Sequence, residues 1–511
     1  MRTRISRHLD SVLAAAPPQT APPPEARVQR RDRLAVADAE PEPSTRSDLA
    51  ALLTPAADAP QQVQVPPEFN GRDYTIFLLR IAAEIEHSLM AQYLFAAYSL
   101  GGPKVPEERN ADVRSWQETI LGIAKEEMGH LITVQNLLTV LGAPRQFDRD
   151  DYPNASPLYP FGFRLEPVSL NSLAAYVCAE SPADFNGPEA DEIKARAQAG
   201  VGDAVNRVGA LFEQLIQLFE NPEIIPDAAF HPATRAFQAR WDEWGRGYRE
   251  GARGAGAVTP EANLPAPELV IIPVDSRASA LAALRAIAEQ GEGLDVPAND
   301  EESHFVRFLS IYRSLKALGP GIVDVVRPMA ANPTTASTDG GDPGDLDTPT
   351  TITHPEAVLW AHLFNVRYRK LLVNLTHAFE LTDDPDDLIT LAPRGGLIHR
   401  TFSEMYNLRA IAGVLVRLPI RLDDENGPRA GPPFQMPYTL HLPSVEADRW
   451  QVHRDLLDAA ANLIGRLRAE ITDGEGQEYL IALAQWDERE RRQVEQLIAV
   501  PAAVPVGGPS S

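Results

Sequence analysis

Apolar residues recur every three or four positions over long stretches of this chain, and the stretches end at glycine or proline. "DYTIFLLRIAAEIEHSLMAQYLFAAYSL" (73–100) is the first predicted helix, stopped by "GGP". "ADVRSWQETILGIAKEEMGHLITVQNLLTVLG" (111–142) is the second, closed by Gly142 and Pro144. After a mixed stretch (146–200), "GDAVNRVGALFEQLIQLFEN" (202–221) reads as a third. A strand-like "ELVIIPV" (268–274), a short helix at 277–290 and a fourth long helix at 299–318 follow. Further helices are predicted at 355–379, 397–418 and 446–470, with a last one ending near 498. The expected fold is mainly α, with long antiparallel helices and few short strands.

Several polar residues interrupt the apolar stripes. On a wheel of about 100° per residue, Ile120, Ile123, Val134, Leu137, Leu138 and Leu141 mark the inward face of the second helix. Glu127 and His130 fall near its centre and Glu126 at its edge. The fourth long helix repeats Glu-x-x-His as Glu301 and His304, on or beside the stripe of Phe305, Phe308, Leu309 and Tyr312. In the first helix Glu86 lies on the apolar side, while Glu84 points away and is expected in solvent. A buried carboxylate needs compensation, and a cation held by both side-chain types supplies it. Two helices with Glu-x-x-His and two with one Glu form the ligand set of ferritin-like di-iron or di-manganese bundles. Carboxylate and imidazole donors suit those metals. The sixth corner stays open. Glu213 falls off the third helix's stripe (Val208, Leu211, Leu215, Leu218, Phe219), Glu292 follows the short helix, and five protein ligands are a third option.

Composition narrows the function classes. The 511 residues carry a net charge of -24, which argues against nucleic acid or an anionic membrane as partner. The single cysteine, Cys178, excludes an internal disulfide and a paired-cysteine zinc or redox site. No apolar run approaches the ~20 residues of a membrane span, and "SVLAAA" after the N-terminal arginines is a poor signal-peptide core, so a cytoplasmic location is expected. Residues 1–66, rich in Pro, Ala and Arg, are expected to be a disordered tail with short apolar islands able to dock on a protein partner. A di-metal domain at 67–329, a linker at 330–353, a helical C-terminal region at 354–498 and a loose tail at 499–511 complete the expected organisation. Arg367, Tyr368, Arg369 and His377 read as a solvated helix face, with a carboxylate-binding role as the alternative; His362, His399 and His453 read as isolated histidines.

"LRIAAEIEHSLMAQYLFAAYSL", "IAKEEMGHLITVQNLLTVLGAP", "IAEQGEG" and "EESHFVRF" together resemble the ferritin-like domain of the iminophenyl-pyruvate dimer synthase type, found in violacein and indolocarbazole biosynthesis. The resemblance covers roughly 70–320 and continues loosely to 438. It implies a ferritin-like four-helix bundle with non-haem iron and oxidative chemistry, in the best-known members the coupling of two imines derived from aromatic α-amino acids. It implies Glu86, Glu127, His130, Glu292, Glu301 and His304 as metal ligands. Where many relatives have a Gly-Glu pair in the third helix, this chain has Gly209 and Ala210. The expected function is an oxidoreductase with a dinuclear iron or manganese centre, using O2 or peroxide on a small organic, amino-acid-derived substrate. The alternatives are ferroxidase or peroxidase-type handling of metal or peroxide, and a metal-stabilised structural protein. A homo-oligomer is compatible with either.

Overall fold

The computed structural model describes residues 63–154, 156, 158–202, 205–244, 269–292, 302–336, 342–382, 393–436, 440–471 and 474–499. Asn70 starts helix α1 (Gly71–Ser99), its side chain accepting the Asp73 N–H at 2.9 Å, the usual way an orphan helix donor is satisfied. Helix α2 (Asn110–Val140) packs along α1. From Leu121 to Val140 every residue except Lys125 is buried, so α2 is covered on all sides rather than along one stripe.

The mixed stretch contains two helices that periodicity did not reveal. Helix α3 (Leu170–Ala179) opens with a reciprocal Ser169–Ser172 capping box. Helix α4 (Pro188–Val201) has proline in its first turn and ends at Gly202, where φ is 86°. Helices α5 (Val208–Glu220), α6 (Arg277–Glu292) and α7 (His304–Leu318) follow. Helix α3 packs on α4 and α7, and α5 on α6 and α1. The apolar face expected for the third helix, Val208, Leu211, Leu215, Leu218 and Phe219, is buried.

Three expectations need correction. The strand-like run forms no strand at 269–274, where the Ile271 N–H turns back to the Leu269 carbonyl at 3.0 Å. It lies along α2, whose Asn136 amide donates to the Ile272 carbonyl at 3.0 Å and whose Thr133 hydroxyl donates to the Val270 carbonyl. Polar side chains of α2 thus serve a backbone that pairs with no strand. The fourth long helix starts at His304 rather than 299, because Ser303 caps it, accepting the Val306 N–H at 3.3 Å. Glu301 lies outside the described residues, as do 1–62 and 500–511, which hold nearly all of both expected tails. Finally, the stretch expected as a linker is tied down where it is described. Strands β1 (Pro333–Thr334) and β2 (Thr350–Thr351) pair in parallel, and buried Asn332 donates its own N–H to the Leu165 carbonyl at 2.8 Å.

The C-terminal region holds α8 (Pro355–Glu380), α9 (Pro393–Leu415), α10 (Glu446–Glu470) and α11 (Gly474–Ile498). Helix α8 packs on α9 and α10, and α10 on α11. Arg149 joins this region to the first bundle by donating to the Phe434 carbonyl at 2.7 Å, and Arg394 by donating to the Gln238 carbonyl at 2.7 Å. One apolar core runs through both regions. No described helix is long and apolar enough to cross a membrane.

Candidate metal centre

Glu86 from α1, Glu127 and His130 from α2, Glu180 at the end of α3 and His304 at the start of α7 converge inside the first bundle, all at most 3% exposed. Among the described residues they form two groups with ligand atoms within 4.8 Å of one another: Glu86, Glu127 and His130, and Glu127, Glu180 and His304. Glu127 belongs to both. Its Oε2 is 2.9 Å from His130 Nδ1 and its Oε1 is 3.1 Å from His304 Nδ1. Glu86 Oε2 is 3.5 Å from His130 Nδ1, and Glu180 Oε2 is 3.7 Å from His304 Nδ1.

Each imidazole is tied at its far nitrogen. His304 Nε2–H donates to Glu126 Oε2 at 2.9 Å, and His130 Nε2–H donates to Gln290 Oε1 at 2.8 Å. Both Nδ1 atoms therefore face the carboxylates. Glu126 is held in turn by Arg307, whose Nη1 donates at 3.2 Å while Nη2 makes a second, closer contact. The wheel put Glu126 at the edge of the stripe, as a supporting or surface group. It is fully buried, because α7 covers that side of α2.

Burial alone would neutralise these groups, but their neighbours decide the outcome. Burial raises Glu127, yet His304 and His130 outweigh it and hold the carboxyl well below its usual range. Burial opposes charge on His130, yet the hydrogen bond to Glu127 and the nearby Glu86 carboxyl bring it up to about 10; burial opposes charge on His304 too, yet the charge of Glu127 and a hydrogen bond to Glu126 raise it well above the ordinary value. Glu86, pushed up by burial and then by Glu127, prefers its neutral form. Protons thus occupy the centre of the cluster and perform the neutralising role that a metal ion would take.

The residues fit such an ion on structural grounds. Glu86 Oε2, Glu127 Oε1 and His304 Nδ1 are buried and make no hydrogen bond of acceptable geometry. Buried polar atoms are rarely left so, and these three point into the cluster. The donor set is oxygen and imidazole nitrogen, suited to iron or manganese.

Glu292 stands elsewhere. It lines the same small cavity, of about 10 Å³, as Glu86, Glu127, His130 and Glu180. Its carboxylate accepts from Arg207 Nη1 at 3.2 Å and lies against Gly209, where an added Cβ would come within 1.8 Å of it. Burial and nearby acids, against the pull of Arg207, push its carboxyl up to about 8. Glu213 is half exposed and pairs with Arg207 at 3.1 Å, so it is not in the cluster. Glu180, which the helical pattern missed, joins the cluster beside Glu127 and His304. One signal was available: "LAAYVCA" before it is apolar throughout, so a carboxylate ending that helix shares its burial. Tyr93 donates to Glu180 Oε1 at 2.5 Å.

Other expectations shift. Glu84 does face away from the cluster, but it is only partly exposed and accepts from Gln146 Nε2 at 3.1 Å. Arg367, Tyr368 and His377, read as a solvated face, are buried, and only Arg369 is exposed. Arg367 donates to Asp487 Oδ1 at 2.8 Å and to Glu404, so its charge is paired within the protein. His453 is not isolated; it lies 2.9 Å from His377 Nδ1. A cleft of about 780 Å³, lined by Arg80, Glu84, Arg145, Asp148, His441 and Arg449 among others, opens on the far side of α1 from the cluster.

Residues 79–313 match the family model described as Ferritin-like. Dichlorochromopyrrolate synthase of Lentzea aerocolonigenes is 26% identical over 434 residues, which take in 76% of this chain but 38% of that protein. The 2-imino-3-(indol-3-yl)propanoate dimerase of Chromobacterium violaceum is 29% identical over 157 residues, 26% of this chain and 15% of that protein. The chain therefore spans well under half the length of the curated relatives it matches. A ferritin-like protein of Caulobacter vibrioides shares 17% identity over 66% of this chain and 97% of its own, with a TM-score of 0.36.

Proposed function

This chain carries a ferritin-like domain and is distantly homologous to dichlorochromopyrrolate synthase and to the indolyl-imine dimerase, and from that footing we propose that it is a non-haem dinuclear iron or manganese oxidoreductase. It uses O2 or peroxide on a small organic, amino-acid-derived substrate. One observation carries the reading: two buried histidines, each anchored at Nε2, turn Nδ1 toward a carboxylate they share.

Glu86, Glu127, His130, Glu180 and His304 would hold the ions. Bound iron or manganese supplies one-electron redox chemistry with O2 or peroxide. The protein's part begins with orientation. Glu126 and Gln290 fix the tautomer and tilt of the two imidazoles. Tyr93 fixes one oxygen of Glu180 and leaves the other turned inward. The cavity has room for about one water-sized molecule. Glu292, up to about 8, holds a proton at the cavity wall through neutral pH. An organic substrate exceeds this cavity, so its access requires the wall formed by Val208, Gly209, Phe212 and Glu292 to move.

The same small cavity favours a second reading, turnover of Fe²⁺ or H2O2 without an organic partner. Oxygen uptake by the iron-loaded protein separates the two. With an aromatic 2-imino acid generated in situ, the proposal expects uptake that depends on the organic compound and yields an oxidised product. Uptake that runs to completion with Fe²⁺ or H2O2 alone and ignores the imine would replace it with the second reading.

A further inference from the structure

The two halves of the cluster are built differently. His304 donates Nε2–H to a carboxylate, Glu126, which is itself clamped by Arg307. His130 donates to a neutral amide oxygen, Gln290 Oε1. On the His304 side Glu180 Oε1 is anchored by Tyr93, while Glu86 Oε2 on the His130 side and Glu127 Oε1 and His304 Nδ1 on the other all lack a hydrogen bond. A carboxylate accepting the far N–H draws the proton toward itself and makes the opposite nitrogen a stronger donor, and removing such outer partners typically weakens metal binding roughly 10- to 100-fold. Exposure to the cavity differs as well: Glu86, Glu127, His130 and Glu180 line it, and His304 does not.

We infer that the two positions are inequivalent, with the His304 position filling first and staying shielded and the His130 position being the weaker one that exchanges with the cavity. This rests on the dinuclear reading above. Glu126 and Arg307 are then positioning residues for His304, and Gln290 for His130. The ion at the His304 position is the anchor. Glu86 and His130 would hold the ion that a molecule entering the cavity can reach.

Titration of the full chain with Mn²⁺, followed by calorimetry and electron paramagnetic resonance, tests this. The expected isotherm has two steps, the first at least roughly 10-fold tighter. An isolated Mn²⁺ signal should grow to one equivalent and give way to a coupled pair at two. Glu126→Gln should weaken the first step roughly 10- to 100-fold and merge it with the second, while Gln290→Ala should weaken the second step alone. Should Glu126→Gln fail to fold because Arg307 is left uncompensated, Glu126→Gln combined with Arg307→Met serves in its place. A coupled pair from the first addition, or equal steps that Glu126→Gln leaves unchanged, would overturn the inference and leave the dinuclear reading standing. Absence of any Mn²⁺ binding would overturn both.

Discussion

Glu127 faces two histidines at once, and that makes ion binding a proton exchange. In the ion-free protein His130 is held up to about 10 and His304 well above its ordinary value, so both are protonated at neutral pH. An ion at Nδ1 displaces one proton from each imidazole. Glu86, neutral without the ion, must also give up its proton to become a ligand, so calorimetry at pH 7 in buffers of different ionisation enthalpy should show about three protons released per dinuclear centre, and affinity that falls as pH falls. No proton release would mean the histidines do not ligate. The ion-free protein has a matching pH signature. His130's folded value of about 10 lies above the ordinary imidazole value of 6.5. Its ion pairing thus contributes stability that is fully present below about 6.5 and is lost as pH rises through about 10. Melting temperature should fall over that range without metal and fall less with it.

At the level of elements, α2 explains both what the sequence revealed and what it concealed. Gly129 sits between Glu127 and His130 because the 269–270 backbone crosses there: a Cβ at Gly129 would lie 3.1 Å from Val270 N. Gly129→Val should destabilise the protein by about 1–3 kcal/mol through overpacking, read by denaturant unfolding. A neutral result would show that the crossing segment yields. Glu86, Glu127 and His130 were legible because apolar periodicity marks an inward face and each lies on it. Glu126 was only half legible, since a wheel describes one face while α2 is enclosed on all sides. Glu180 was invisible to that method because α3 is short and apolar all round, with no second face to give it a period. The strand-like run misled for a related reason. Its β-branched residues favour an extended backbone, but the partners of that backbone are the side chains of a helix.

Across the whole molecule, the C-terminal helices carry a second buried polar core, with a different composition. Lys370 Nζ donates to Glu404 Oε1 at 2.8 Å and Glu490 Oε2 at 2.6 Å, and Arg367 pairs with Asp487. Here side-chain cations neutralise the carboxylates, so nothing points to a metal. Burial raises Glu404, but Lys370 and Arg367 outweigh it and hold it below its ordinary value. Its contribution is therefore present above the ordinary carboxyl range and lost as pH falls through the lowered value. Lys370→Met should cost about 3–5 kcal/mol, the usual result of leaving a buried charge without its partner, while leaving the metal content of the first bundle unchanged. Loss of metal in that variant would show that the two cores are coupled. The first bundle differs from this second core in its counter-charges: Glu86, Glu127 and Glu180 face imidazoles, whereas Glu404, Asp487 and Glu490 face Lys370 and Arg367. The central claim thus depends on what fills the first cluster. Protein purified without added metal should contain iron or manganese approaching two ions per chain, with an absorption spectrum that changes when the reduced protein meets O2. Iron and manganese both near zero with no response to O2, or full occupancy by zinc, would contradict it.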